Sequence, residues 1–209
     1  SAAPDIPILS EEAASGEQLP ALGRRFFLVD PLDGTREFIT RTDEFTVNIA
    51  LIENGKPTAG VVFAPAIGRV YAASPAAGAF RALISADGGI GRREEIRARP
   101  CPRVGLIAVA SRSHRSPETD AYLEAISVTH FAAAGSSLKF CLIAEGAADV
   151  YPRLGRTMEW DTAAGQAVLE AAGGSVLTHP ESARLMYGKI EGGYVNPPFI
   201  AWGRAGPHR

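Results

Sequence analysis

LVDPLDGTREF, Leu28 to Phe38, joins an apolar run to two aspartates, a glycine and a threonine. Carboxylates at the tip of a buried strand are costly unless something positive lies between them. Pro31 stiffens the exit from the strand. Asp30 and Asp33 can then aim at one volume, with the Leu32 carbonyl exposed between them. Oxygen donors of this kind suit Mg²⁺. Gly34 and Thr35 open TREFIT, a predicted helix whose free N–H groups and positive end suit a phosphate oxygen. The plainer reading of such a turn is a helix N-cap beside a solvated acid. The stretch by itself is compatible with both.

Upstream, IPILSEE predicts a strand ending at Glu11 and Glu12, and RRFFLVD a second strand ending at Asp30. Both deliver acids at their C-terminal ends, where ligands gather in α/β proteins. Downstream, FTVNIALIENGKPTAGVVFAPAIGRVYAASPAAGAFR predicts an antiparallel meander of three strands, with turns at ENGKP and PAIGR. A Gly- and Arg-rich connection around DGGIGRREEIRARP follows, and a boundary near Pro100 divides the chain into residues 1–100 and 101–209. In the second part VGLIAVAS and GSVLTH predict strands. SPETDAYLEAI, with Ser116 as N-cap and Pro117 in the first turn, SSLKFCLIAEG, ending on Gly146, and DTAAGQAVLEAAGG, from Asp161 to Gly173, predict helices. Asp161 thus has its own plain reading as an N-cap, and Glu11 as a solvated strand end.

The composition is that of a globular protein, with 46% hydrophobic and 21% charged residues in 209. A formal net charge of -2 gives no bulk attraction for nucleic acid, so any phosphate recognition is local. The two cysteines, Cys101 and Cys141, supply neither a disulfide framework nor a thiolate metal site, which makes a reducing cytoplasm the expected compartment. No apolar run approaches the roughly 18 residues of a membrane span, so no membrane insertion is expected, while peripheral association stays open.

Taken together, SEE, DPLDGT and WDTAAGQAVLEAAGG resemble the signature motifs of the inositol monophosphatase superfamily, the lithium-sensitive, magnesium-dependent phosphatases. EFTVNIALIENGKPTAGVVFAP, SRSH and GSSLKFCLIAEGAADVYPRLG extend the resemblance over nearly the whole chain, towards the 3'(2'),5'-bisphosphate nucleotidase branch. The resemblance implies an αβαβα layered sandwich and hydrolysis of the 3'-phosphate of 3'-phosphoadenosine 5'-phosphate, a by-product of sulfate assimilation, to AMP and phosphate. It implies two or three Mg²⁺ ions held by Glu11, Asp30, the Leu32 carbonyl, Asp33 and Asp161. Glu11, Asp33 and Thr35 would be catalytic. The backbone amides of Gly34 and Thr35 would meet the scissile phosphate, and the Thr35 hydroxyl would orient the attacking water. It further implies a helical segment ahead of residue 1, which supplies the aspartate that pairs with Thr35, and it is compatible with a homodimer.

Substrate choice rests on the second half of the chain. The inositol branch tends to carry an acid where this chain has Arg153, and arginine suits a second phosphate or an adenine face. Lys139 adds a cation, Ser136 and Ser137 offer donors, and His114 and Asp161 complete the expected substrate contacts. Each also has an ordinary reading: Lys139 and Arg153 as surface cations, His114 as a loop histidine. The rival functions are an inositol monophosphatase or sugar bisphosphatase of the same chemistry, and a nucleotide-binding protein without turnover.

Overall fold

The computed structural model describes residues 5–14, 21–110 and 116–206. The first half is one seven-stranded sheet, built in chain order from β1 (Ile8–Ser10), β2 (Arg25–Asp33), β3 (Thr46–Glu53), β4 (Lys56–Ala64), β5 (Arg69–Ser74), β6 (Gly78–Leu83) and β7 (Glu94–Glu95). β1 pairs with β2 in parallel and every later neighbour is antiparallel. The meander is therefore longer than the expected three strands: GAFRAL, with its small residues, forms β6 and closes on β5 through a turn at residues 75–77. Asn54 and Gly55, both at positive φ (52° and 74°), make the β3–β4 turn, as the NG dipeptide requires. Two short helices interrupt the sheet's connections, α1 (Glu11–Ala14) and α2 (Thr35–Ile39).

The second half is a five-stranded sheet of β8 (Leu106–Ala110), β9 (Val128–Ala133), β10 (Val150–Arg153), β11 (Ser175–Thr178) and β12 (Phe199–Trp202), in the order β11-β12-β10-β8-β9. Its helices are α3 (Pro117–Ala125), α4 (Leu138–Ala144) and α5 (Ala163–Ala171). Ser116 caps α3 as expected, its hydroxyl accepting from Thr119 N–H at 3.3 Å. α5 starts two residues later than predicted, because its N-cap is Thr162 and not Asp161.

α5 lies against β3, β4 and β5 on one side and β11 on the other, α4 lies beside it, and α3 covers β9 and β10. The described layers are thus sheet, helix pair, sheet, helix, four of the five expected; no described helix lies across the outward face of the first sheet, which carries Ile49 and Val61. A single apolar cluster runs through both sheets, from Leu28, Ile52 and Val62 through Ile143 and Leu169 to Phe199. At Gly60 a Cβ would stand 2.6 Å from the Ala164 carbonyl, so the bare backbone of β4 lets α5 sit directly on the sheet. The helices that belong by sequence to residues 101–209 therefore share their core with residues 1–100. Among the described residues no helix is long and apolar enough to cross a membrane.

Candidate active site

β2 continues past Asp30 to Asp33, with a register shift against β3 between the two aspartates. On a regular strand residues three apart face opposite sides of the sheet. The bulge absorbs the odd residue and turns both acids toward the sheet's inner side. Pro31, which has no N–H to give the ladder, falls inside that irregularity. Asp30 is 1% exposed and accepts from Leu32 N–H at 2.9 Å. Asp33 Oδ2 accepts from Asn48 Nδ2 at 3.1 Å, Thr46 Oγ1 at 3.3 Å and Ser137 N–H at 2.9 Å. The last bond spans the two halves of the chain.

Gly34 follows at φ 90°, and a Cβ there would run into Ser136 Oγ, so only glycine fits. Ser136, itself at φ 48°, donates its hydroxyl to the Asp33 carbonyl at 2.8 Å, and its own backbone carbonyl accepts from Lys139 Nζ at 2.8 Å. Asp161 comes from the turn ahead of α5. Its Oδ2 accepts from Met158 N–H at 2.8 Å, and its carbonyl accepts from Ser137 Oγ at 2.7 Å.

Asp33, Gly34, Ser136, Lys139 and Asp161 line a cleft of about 280 Å³ between the sheets, whereas Asp30, Leu32 and Glu11 are not among its lining residues. Its acids are Asp33, Glu37 and Asp161, its cations include Lys139, which acts on Asp33, and Arg153, and Gly34, Thr35 and Ser136 lie in its wall. Arg36, Tyr151 and Thr157 also line it. Sequence reasoning passed over these three, although Arg36 and Tyr151 stand inside the quoted stretches TREF and VYPR. Ser137 is fully buried, with its hydroxyl and N–H both engaged by the two acids, so it stands behind the cleft wall and not in it. Thr35 Oγ1 lies 3.5 Å from the Leu32 carbonyl. Glu11 is exposed at the start of α1, and burial with the charge of Glu12 raises its carboxyl while a hydrogen bond to Asp30 opposes this. His114 lies outside the described residues.

The electrostatics of the acids are those of an uncompensated group. Burial, and then the charge of Asp33, pushes Asp30 up to about 8. The same causes push Asp161 up to about 7. Burial also raises Asp33, against the pull of Lys139. Lys139, 6% exposed, is pushed down to about 8 by burial, with Asp33 opposing. Arg153 donates to the Arg156 carbonyl at 3.0 Å, and its buried Nε has no partner among the described residues. No three His, Cys, Asp or Glu side chains among the described residues close on a common point as a ready-made cage. The donor set is nonetheless all oxygen and anionic, which fits a hard divalent cation. Two acids, Asp30 and Asp161, raised by burial and by the charge of Asp33, with one lysine beside Asp33, are the charge pattern such a cation would relieve.

A layered α/β fold with an acid-and-cation cleft between its sheets defines the class, that of α/β phosphomonoesterases. The inositol monophosphatase family model matches residues 1–202, and the chain belongs to that family. It is 48% identical over 175 residues to the 3'(2'),5'-bisphosphate nucleotidase CysQ of Shigella flexneri, covering 83% of this chain and 67% of the relative. The CysQ of Salmonella typhimurium is 44% identical over 197 residues, with 94% of this chain and 75% of the relative covered. Among solved structures, CysQ from Bacteroides thetaiotaomicron superposes with a TM-score of 0.79 at 39% identity, over 96% of this chain and 78% of the other. The inositol monophosphatase of Anabaena superposes at 0.75 with 26% identity, over 97% and 75%.

Proposed function

We propose that this protein is a phosphoric monoester hydrolase that removes the 3'-phosphate of 3'-phosphoadenosine 5'-phosphate to give AMP and phosphate, with Mg²⁺ as cofactor. The observation that carries the substrate is Arg153, whose buried Nε is unpartnered at the cleft in a chain 48% identical to a bisphosphate nucleotidase. A buried donor without an acceptor is unfavourable, and a second phosphate supplies that acceptor. Lys139 beside it adds charge on the same side.

Asp30, Asp33 and Asp161 would hold Mg²⁺, with Glu11 and the Leu32 carbonyl as further oxygen donors. Mg²⁺ held there supplies Lewis acidity and neutralises charge that builds on the phosphate oxygens. The rest of the chemistry belongs to the chain. The bare backbone at Gly34 would let a phosphate approach the amides of Gly34 and Thr35, and the Thr35 hydroxyl would orient water beside them. Lys139 and Arg153 grip the anionic end that does not react, which turns the 3'-ester toward the acids.

The test is phosphate release from three substrates: 3'-phosphoadenosine 5'-phosphate, AMP and inositol 1-phosphate. Two charge-assisted bonds of about 1.5–3 kcal/mol each imply a preference for the bisphosphate of at least about a hundredfold in kcat/KM. Equal rates on all three would overturn the substrate, and loss of activity that Mg²⁺ does not restore after chelation would overturn the cofactor.

A further inference from the structure

Asp161 is braced from the side away from the cleft. Met158 N–H donates to its Oδ2 at 2.8 Å, and the Met158 carbonyl in turn accepts from Asn196 Nδ2 at 2.7 Å. The same amide nitrogen lies 3.0 Å from Thr162 Oγ1. Asn196 therefore holds the chain on both sides of Asp161. It is 5% exposed and is not part of the cleft lining.

The orientation of that amide is determined. Lys189 Nζ, which can only donate, stands 3.2 Å from Asn196 Oδ1, so the nitrogen must face residues 158 and 162. Lys189 is fixed by Glu159, a fully buried carboxylate 2.6 Å from Nζ. Glu159 also accepts the N–H groups of Gly188 and Lys189 at 2.7 and 2.9 Å. The two segments are stitched by backbone bonds, Asn196 N–H to the Thr157 carbonyl and Glu159 N–H to the Tyr194 carbonyl, both 2.9 Å. A buried polar cluster whose members are satisfied holds one arrangement.

We propose that Asn196 is a positioning residue for Asp161, which fixes that carboxylate in place before a cation arrives. The inference rests on the Mg²⁺-dependent reading given above. Partners of this outer kind set metal affinity by about 10- to 100-fold.

Calorimetric titration of Mg²⁺ into the metal-free full chain tests it. N196D keeps the size of the side chain but turns an acceptor toward the Met158 carbonyl. N196S retains a single donor, and serves if N196D does not fold. A folded variant, judged by circular dichroism, should bind Mg²⁺ about tenfold or more weakly than wild type. L123A, which opens a hole on α3 in the separate core cluster, should lower the melting midpoint yet leave the Mg²⁺ affinity alone. Folded Asn196 variants with wild-type affinity, or an L123A loss as large as theirs, would overturn the proposal while the Mg²⁺ reading stands. A wild-type protein that binds no Mg²⁺ overturns that reading and this inference together.

Discussion

Ser137 donates its hydroxyl to the Asp161 carbonyl at 2.7 Å, while its own N–H serves Asp33 at 2.9 Å. One fully buried serine thus ties together Asp33 and Asp161, two of the acids that line the cleft. Ser137→Ala keeps the bond to Asp33 and leaves a carbonyl short of a partner. The expected cost is about 1–3 kcal/mol of stability, read as a lower urea midpoint at unchanged m-value. An unchanged midpoint would show that the bond contributes nothing.

Asp33→Asn is close to isosteric, and the amide oxygen can take the place of Oδ2 as acceptor for Asn48, Thr46 and Ser137. The fold should survive. Phosphate release should fall at least about a hundredfold, the scale of losing one central electrostatic element. Near-normal turnover at limiting Mg²⁺ would remove Asp33 from the ligand set.

Arg153→Glu replaces a phosphate-pairing cation by a repelling charge. The expected penalty is about 2–5 kcal/mol in kcat/KM for the bisphosphate, with a smaller effect on monophosphates. Substrate competition measures the ratio. Unchanged hydrolysis of the bisphosphate would make Arg153 a surface residue only.

The raised carboxyls have a consequence for stability. Unfolded aspartate titrates near 4, whereas Asp161 and Asp30 in the folded protein sit at about 7 and about 8. Between these values the folded state binds more protons than the unfolded one, so stability falls as pH rises. The melting midpoint in EDTA should therefore drop from pH 5 to pH 8. Added Mg²⁺ should raise it more at pH 8 than at pH 5, because protons compete for the same oxygens. A midpoint that climbs over this range in EDTA contradicts the assignment.

Much of this was legible in the sequence. Asn54–Gly55, the Ser116 cap and Gly173 at φ 95° each mark an element end by local chemistry, and the structure uses them so. The acids of DPLDGT could be picked out because a buried strand tip is a costly place for carboxylates, and Asp161 of WDT, an ordinary N-cap by itself, stood out through the family resemblance of the motifs taken together. The extra strand β6 was hidden because Ala and Gly give it little strand signal. The bulge that brings Asp30 and Asp33 to one face depends on pairing with β3, which no local pattern encodes. The bracing of Asp161 by Asn196 joins residues far apart in the chain, and Asn196 shows in the sequence only as a loop asparagine in NPP.

Gly60→Ala tests the sheet-to-helix seat. The added methyl would meet the Ala164 carbonyl at 2.6 Å and Ala167 Cβ at 2.8 Å. The atoms it meets are the backbone and Cβ of α5, which have no rotamer to give way, and the overpacking should cost about 1–3 kcal/mol. A melting midpoint equal to wild type would show that α5 can retreat from β4.

The shared core has one more consequence. Asp30 and Asp33 ride on a sheet from the first half of the chain, while Lys139, Arg153 and Asp161 ride on elements of the second half, with α4 and α5 wedged between. A nascent chain that has paired only its first sheet carries a carboxylate pair and nothing to grip a nucleotide. A clipped one that keeps only the second half carries cations and no partner for Asp161. On the proposed assignment of these residues, turnover would be a certificate of completed assembly, since neither half alone carries both the carboxylate pair and the cations.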